Sequence, residues 1–130
     1  MRSFIRALLL MSALVLAVSS QVPELLSPSQ DDVLDNGCEN KSDNVVWEFS
    51  WSAVDGADRY HIYVQRLGAQ FPVLNHSVTG TSFEKKSKGY ITPQNSDGWT
   101  WRVRAQVRGK WGRWSSVRSF SVEPIDTDCP

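Results

Sequence analysis

The chain has 130 residues, with 14 basic and 14 acidic side chains, and is formally neutral. That balance does not favour nucleic-acid binding, whose electrostatic footprint is a basic patch on a basic domain. Less its leader, the length is one domain's worth of chain, enough for a modest core.

Met1 to Ser20 opens with Arg2 and Arg6 and continues as an apolar run from Ala7 to Val18, broken only by Ser12. It closes on the small residues Ala17, Ser19 and Ser20. This is the pattern of a secretory signal peptide, cleaved after Ser19 or Ser20. The run is shorter than the roughly 20 residues of a membrane span, and nothing later in the chain is apolar enough to span. Removing the two arginines leaves a mature net charge near −2. The plan is therefore a signal peptide over 1–20, a domain over 21–124 and a tail over 125–130 that carries Cys129. The product is secreted, periplasmic or displayed on the cell surface.

Pro23 to Pro28 predicts a short edge strand, because prolines cannot donate to a ladder. Ser29 to Asn44 is polar and acidic and reads as a long connection with a short strand near Val33 and Leu34. Val45 to Trp51 alternates, with Val45, Trp47, Phe49 and Trp51 on the inner parity. Asp55 and Gly56 mark a turn, after which Arg59 to Leu67 puts Tyr60, Ile62 and Val64 inward. Phe71 to Val78 is a weaker, proline-bearing edge strand, and Thr81 to Lys85 is a further strand with Phe83 toward the core. Lys86 to Gly98 is a polar loop.

Trp99 to Val107 is the clearest alternation, with Trp99, Trp101, Val103, Ala105 and Val107 on one side. It is followed by Gly109, Lys110 and Gly112 in a turn read as longer than the two-residue types, and by a return strand over 117–122. Short strands at regular spacing without helical periodicity predict an all-β fold, a seven-stranded antiparallel β-sandwich.

Chemistry concentrates in this last hairpin. Trp111, Trp114 and Ser115 flank the turn, while Arg102, Arg104 and Arg108 lie on the outer parity of the strand before it. Guanidinium planes stack on indole faces for about 0.5–1 kcal/mol each when exposed, so these residues predict an Arg–Trp ladder. The competing reading is plain packing aromatics and solvated arginines. Trp99 to Phe120 carries six basic residues and no acidic one, whereas Gln21 to Asp58 is mostly acidic.

His61 and His76 fall on an outward position and an edge segment and read as solvent-exposed. No nucleophile elbow, zinc-protease helix or phosphate loop occurs, so an enzyme is not indicated and no cofactor or metal is implied. The two cysteines, Cys38 and Cys129, favour a disulfide in an exported protein. Asn40 and Asn75 begin N-glycosylation sequons, relevant if the source is a eukaryote.

The segments Phe49-Ser50-Trp51-Ser52-Ala53-Val54-Asp55-Gly56-Ala57 and Tyr60-His61-Ile62-Tyr63-Val64 resemble the second and third strands of a fibronectin type III domain. Trp101-Arg102-Val103-Arg104-Ala105 looks like the sixth strand and Val117 to Val122 the seventh, so the resemblance covers about Pro23 to Val122. It implies an immunoglobulin-like sandwich. The Leu26-Ser27-Pro28 opening and the WGRWSSVRSF ending look most like bacterial exported versions. Trp111-Gly112-Arg113-Trp114-Ser115 is also similar to the Trp-Ser-x-Trp-Ser box of class I cytokine receptors, with Gly112 in place of the first serine. In that family the tryptophans stack on arginines of the sixth strand, which implies the ladder for Arg102 and Arg104 but no cytokine binding.

The chain departs from the pattern in two places. Trp99 stands where the family has a corner tyrosine, so that hydroxyl hydrogen bond must be absent or replaced. Arg108-Gly109-Lys110 lacks the aspartate of an integrin-binding tripeptide. The resemblance further implies that Cys38 and Cys129 lie at one pole and can bridge.

Three functions remain open. The first is a protein-binding or adhesion module, using a sheet edge or the pole formed by Asp55, Gly56, Asp58, Gly109, Lys110 and Arg113. The second is a carbohydrate binder with Trp111, Trp114 or Tyr63 as platform, and the third a structural spacer or envelope component. A protein partner is expected, with a glycan as the alternative.

Overall fold

The computed structural model describes residues 21–39 and 44–127. The signal peptide read over 1–20, the Asn40 sequon and Cys129 lie outside the described residues. In chain order the strands are β1 (Leu25–Ser27), β2 (Asp32–Leu34), β3 (Asn44–Trp51), β4 (Ala57–Arg66), β5 (Leu74–Val78), β6 (Ser82–Lys88), β7 (Trp99–Val107), β8 (Lys110–Trp111) and β9 (Arg118–Val122). One turn of 3-10 helix, Pro93–Asn95, interrupts the β6–β7 connection. One sheet has the order β1-β3-β6; the other runs β2-β9-β7-β4-β5, with β8 beside β7.

The sandwich read from the sequence is the fold, built from nine described strands. The first predicted strand divides. β1 pairs with β3, and after the buried Pro28 the chain crosses to the opposite sheet, where β2 runs parallel to β9. Proline has no N–H with which to continue the first ladder. This is the one parallel pair among otherwise antiparallel strands.

The final hairpin also differs from expectation. Its turn is the two-residue Arg108–Gly109, since Val107 pairs directly with Lys110. Both residues have positive φ, 53° and 75°, the signature of the type I′ turn whose twist suits a hairpin. The short β8 follows, and only after residues 112–117 does β9 rejoin β7. Phe71 lies outside β5 and is exposed, while β6 runs on to Lys88, into what reads as loop from the sequence. Phe83 is half-buried, because β6 is an edge of its sheet.

The inner parities meet as an aromatic core. Trp47 sits edge-on to Trp99 at 5.1 Å and to Phe120 at 5.6 Å, and Phe49 lies edge-on to Trp101 at 5.1 Å. Such edge-to-face pairs contribute roughly 0.5–1.5 kcal/mol each beyond their buried area. Where the corner tyrosine would stand, the Trp99 indole N–H donates to Asn95 O at 2.7 Å, so the bond is replaced rather than lost.

Candidate functional site

Cross-strand register builds the outer face of the larger sheet. Tyr63 lies directly opposite Arg102, and His61 opposite Arg104. The Arg102 guanidinium lies 5.1 Å from the Tyr63 ring and 4.4 Å from the Trp114 ring. Arg104 follows at 4.6 Å from Trp114 and 4.9 Å from Trp111. The result is an alternating stack of Tyr63, Arg102, Trp114, Arg104 and Trp111. Each arginine sits between two rings, where the ring quadrupole attracts the cation. Arg108 is not part of it; it forms the hairpin turn and is exposed.

Ser115 holds the returning strand against this face. Its N–H donates to Val103 O at 2.8 Å, its hydroxyl oxygen accepts from Val103 N at 3.0 Å, and the hydroxyl donates to Ser116 O at 3.0 Å. Gly112 N donates to Ala105 O at 2.8 Å. These bonds press the Trp111–Ser115 segment against β7, so that Trp114 reaches back over the arginines.

His61 belongs to the stack too, contrary to the solvent-exposed reading. Its ring lies 4.8 Å from Trp114 and 5.6 Å from Trp111. Arg104 Nε donates to His61 Nδ1 at 3.1 Å, while His61 Nε2 hydrogen-bonds to Asn75 Oδ1 on β5. Outward parity is legible in the sequence; the register that sets His61 opposite Arg104 is not.

The six pole residues form a second group. The β3–β4 turn closes through Ala57 N to Val54 O at 3.1 Å, with Gly56 at φ 74°. Val54 N donates to the hydroxyl of buried Tyr60 at 2.8 Å, which anchors the turn to the core. Gly109 N donates to Asp58 Oδ2 at 3.4 Å, bringing the two turns side by side. Asp55, Gly56, Asp58, Gly109, Lys110 and Arg113 are all exposed.

At the other end of the sheet, Asn36 ties three segments together. Its Nδ2 donates to Ile91 O and Glu123 O, both at 2.9 Å, and its Oδ1 accepts from Ile91 N at 2.8 Å. The parallel register of β2 and β9 continues as a bridge between Cys38 and Asp126, with Glu39 N donating to Asp126 O at 3.1 Å. Cys38 is thus held against the C-terminal tail, three residues short of Cys129 in sequence. Among the described residues there is no free cysteine.

Among the described residues no three His, Cys, Asp or Glu side chains cluster as a metal site, and no helix is long and apolar enough to cross a membrane. Asn75 is exposed on β5.

No protein-family model and no curated protein matches the chain. Among solved structures it is similar to an Fn3-like protein from Clostridium thermocellum, at 16% identity and a TM-score of 0.42, over 78% of this chain and 99% of that one. The strand order carries the assignment of architecture: a three-stranded sheet facing a larger one whose central strands are β7 and β4 is a fibronectin type III-like sandwich.

Proposed function

We propose that this is a non-enzymatic protein-binding module, acting outside the cytoplasm as the leader sequence implies. The reading is carried by the pole where Gly109 N meets the Asp58 carboxylate. That contact sets two exposed turns, bearing Asp55, Lys110 and Arg113, side by side on the ends of rigid strands. Loops of mixed charge held on a fixed frame are common recognition surfaces. A Cys38–Cys129 disulfide would fasten the tail at the opposite end, leaving this pole unobstructed.

The carbohydrate reading is less well supported. Trp114 has a guanidinium within 5 Å on each of two contacts, so its faces are not available as a sugar platform. Trp111, 36% exposed, is the residue that would have to serve.

The test is affinity capture from envelope or culture fractions of the source, with the intact protein and an Asp58→Lys/Lys110→Glu variant as paired baits. A partner retained by the intact protein and lost by the folded variant supports the reading. Equal retention by both moves the site away from the pole, and no partner with either favours the spacer.

A further inference from the structure

Among the described residues the two sheets end in four strands, β1 and β6 on the smaller and β2 and β5 on the larger, with the two-residue β8 beside β7. An exposed edge presents unpaired backbone groups to any passing strand, and proteins blunt it with charge, proline, bulges or brevity. Three of these edges are guarded. β1 has three residues, a register shift between Leu25 and Ser27, and Pro23 and Pro28 on either side. β2 also has three residues and begins at Asp32, next to Asp31.

β6 carries Lys85, Lys86 and Lys88, and Lys85 lies opposite Trp47, on the inner parity. Its Nζ sits 5.4 Å from the Trp47 ring and is hydrogen-bonded to Ser87 Oγ. An inward-turned cation on an edge strand deters pairing.

β5 has a flanking proline, Pro72, but no guard within the strand itself. Leu74–Val78 contains no charged residue, no proline and no register shift along its pairing with β4, and its central residues are exposed. In the β4–β5 connection beside it stand Leu67 and Phe71, 83% and 73% exposed, more than any other large apolar side chain among the described residues. The core does not account for their placement.

The surroundings specify the charge of an occupant. His76 of β5 stacks on Phe83 of β6 at 5.5 Å, which brings the lysines of β6 alongside. Strands β4 to β8 hold two carboxylates, both engaged: Asp58 with Gly109 N, and Glu84 with Lys86 at 3.5 Å; next to them stand Glu48, opposite Glu84 on β3, and Asp97, beside the Gly98 whose carbonyl accepts from Leu67 N. Against them stand Arg59, Arg66, Lys85, Lys86, Lys88, Arg102, Arg104 and Lys110.

We infer that the β5 edge is an acceptor for an extended acidic segment of a partner protein, which adds a strand beside β5 and covers Leu67 and Phe71. Main-chain bonds to β5 supply affinity, and the cationic surroundings select acidic over basic segments. A second copy of this chain is disfavoured as occupant, because edge-to-edge pairing would bring two sets of lysines together. The inference rests on the protein-binding reading and places a second contact away from the pole.

The experiment titrates uniformly 15N-labelled protein, expressed as the full chain, with two blocked octapeptides of alternating sequence, Glu-Val repeated four times and Lys-Val repeated four times. The expected result is amide shifts over residues 74–78 and near Leu67 and Phe71 with the acidic peptide only. Binding should be at least tenfold weaker in a Lys86→Glu/Lys88→Glu variant, with protection of the 74–78 amides from exchange in the complex. Equal shifts with the basic peptide, silence of 74–78 with both, or concentration-dependent dimerisation through β5 would each overturn the inference. Shifts confined to the turns at 55–58 and 109–113 would overturn it too while leaving the protein-binding reading intact; that reading fails only in the capture experiment.

Discussion

Trp114 is the middle rung of the stack, so Trp114→Ala removes contacts on both sides. Arg102 and Arg104 lie 4.4 and 4.6 Å from its ring and are half-buried, which places each cation–π contact near 1 kcal/mol. The indole is itself half-buried. Full Trp→Ala truncation in a core costs roughly 3–5 kcal/mol, so about half of that is due to packing here. The sum is about 3.5–4.5 kcal/mol.

Urea unfolding followed by far-UV circular dichroism should register this as a lower midpoint with an unchanged slope. In a double-mutant cycle, Arg104→Ala should cost about 1 kcal/mol less in the Trp114→Ala background than in the intact protein, because the shared contact is already gone. Trp114→Phe, which keeps a ring face, should recover part of the loss. A Trp114→Ala cost under 1 kcal/mol, or additive single effects, would exclude the stack as a source of stability and return these residues to ordinary surface packing.

Ser115→Ala should cost about 1–3 kcal/mol by chemical denaturation, since it leaves the buried Val103 N–H without its acceptor; no loss would show that the N–H finds another partner. Gly37→Ala should cost about 3 kcal/mol, because a Cβ there would lie 1.9 Å from Gly89 O and force the β2–β3 connection and the β6–β7 loop apart. Thermal unfolding would read that loss, and a native-like melt would mean the two backbones can separate cheaply.

Cys38→Ser should destabilise by roughly 2–5 kcal/mol if Cys129 is its partner; intact mass before and after reduction tests the bond, and two thiols in the native protein would exclude it. Burial lowers the pKa of Lys85 below its ordinary 10.5, so the unfolded chain holds the proton over a window where the folded one has released it. The contribution of Lys85 to stability therefore rises as pH climbs toward 10.5. Lys85→Met should match or exceed the parent at pH 7 and lose that advantage at alkaline pH, while aggregating more readily as its edge loses an inward charge; denaturation at pH 7 and 10 with light scattering reads both.

Much of the fold is legible in local patterns. Trp47, Phe49 and Trp51, like Trp99, Trp101 and Val103, are buried on the parity that alternation assigns them. What depends on pairing is not legible. Arg102 and Arg104 show in the sequence as outward, and their tryptophans as nearby, but His61 and Tyr63 join them only through the β4–β7 register. The parallel β2–β9 pair is likewise a product of tertiary contact, since Asp32 to Leu34 carries no signal for a change of sheet. Arg108–Gly109 is misread for a local reason. Arginine is an unusual residue at positive φ, and the glycines at 109 and 112 make the turn look longer than it is.

On this reading the aromatic–arginine face serves the fold and binds no sugar. A glycan-array screen of the protein, with Trp111→Ala and Trp114→Ala alongside, tests this. The expected result is no saccharide binding by any of the three, and clear destabilisation in the Trp114→Ala protein. Saccharide binding by the parent that disappears in Trp111→Ala, with circular dichroism unchanged, would contradict it.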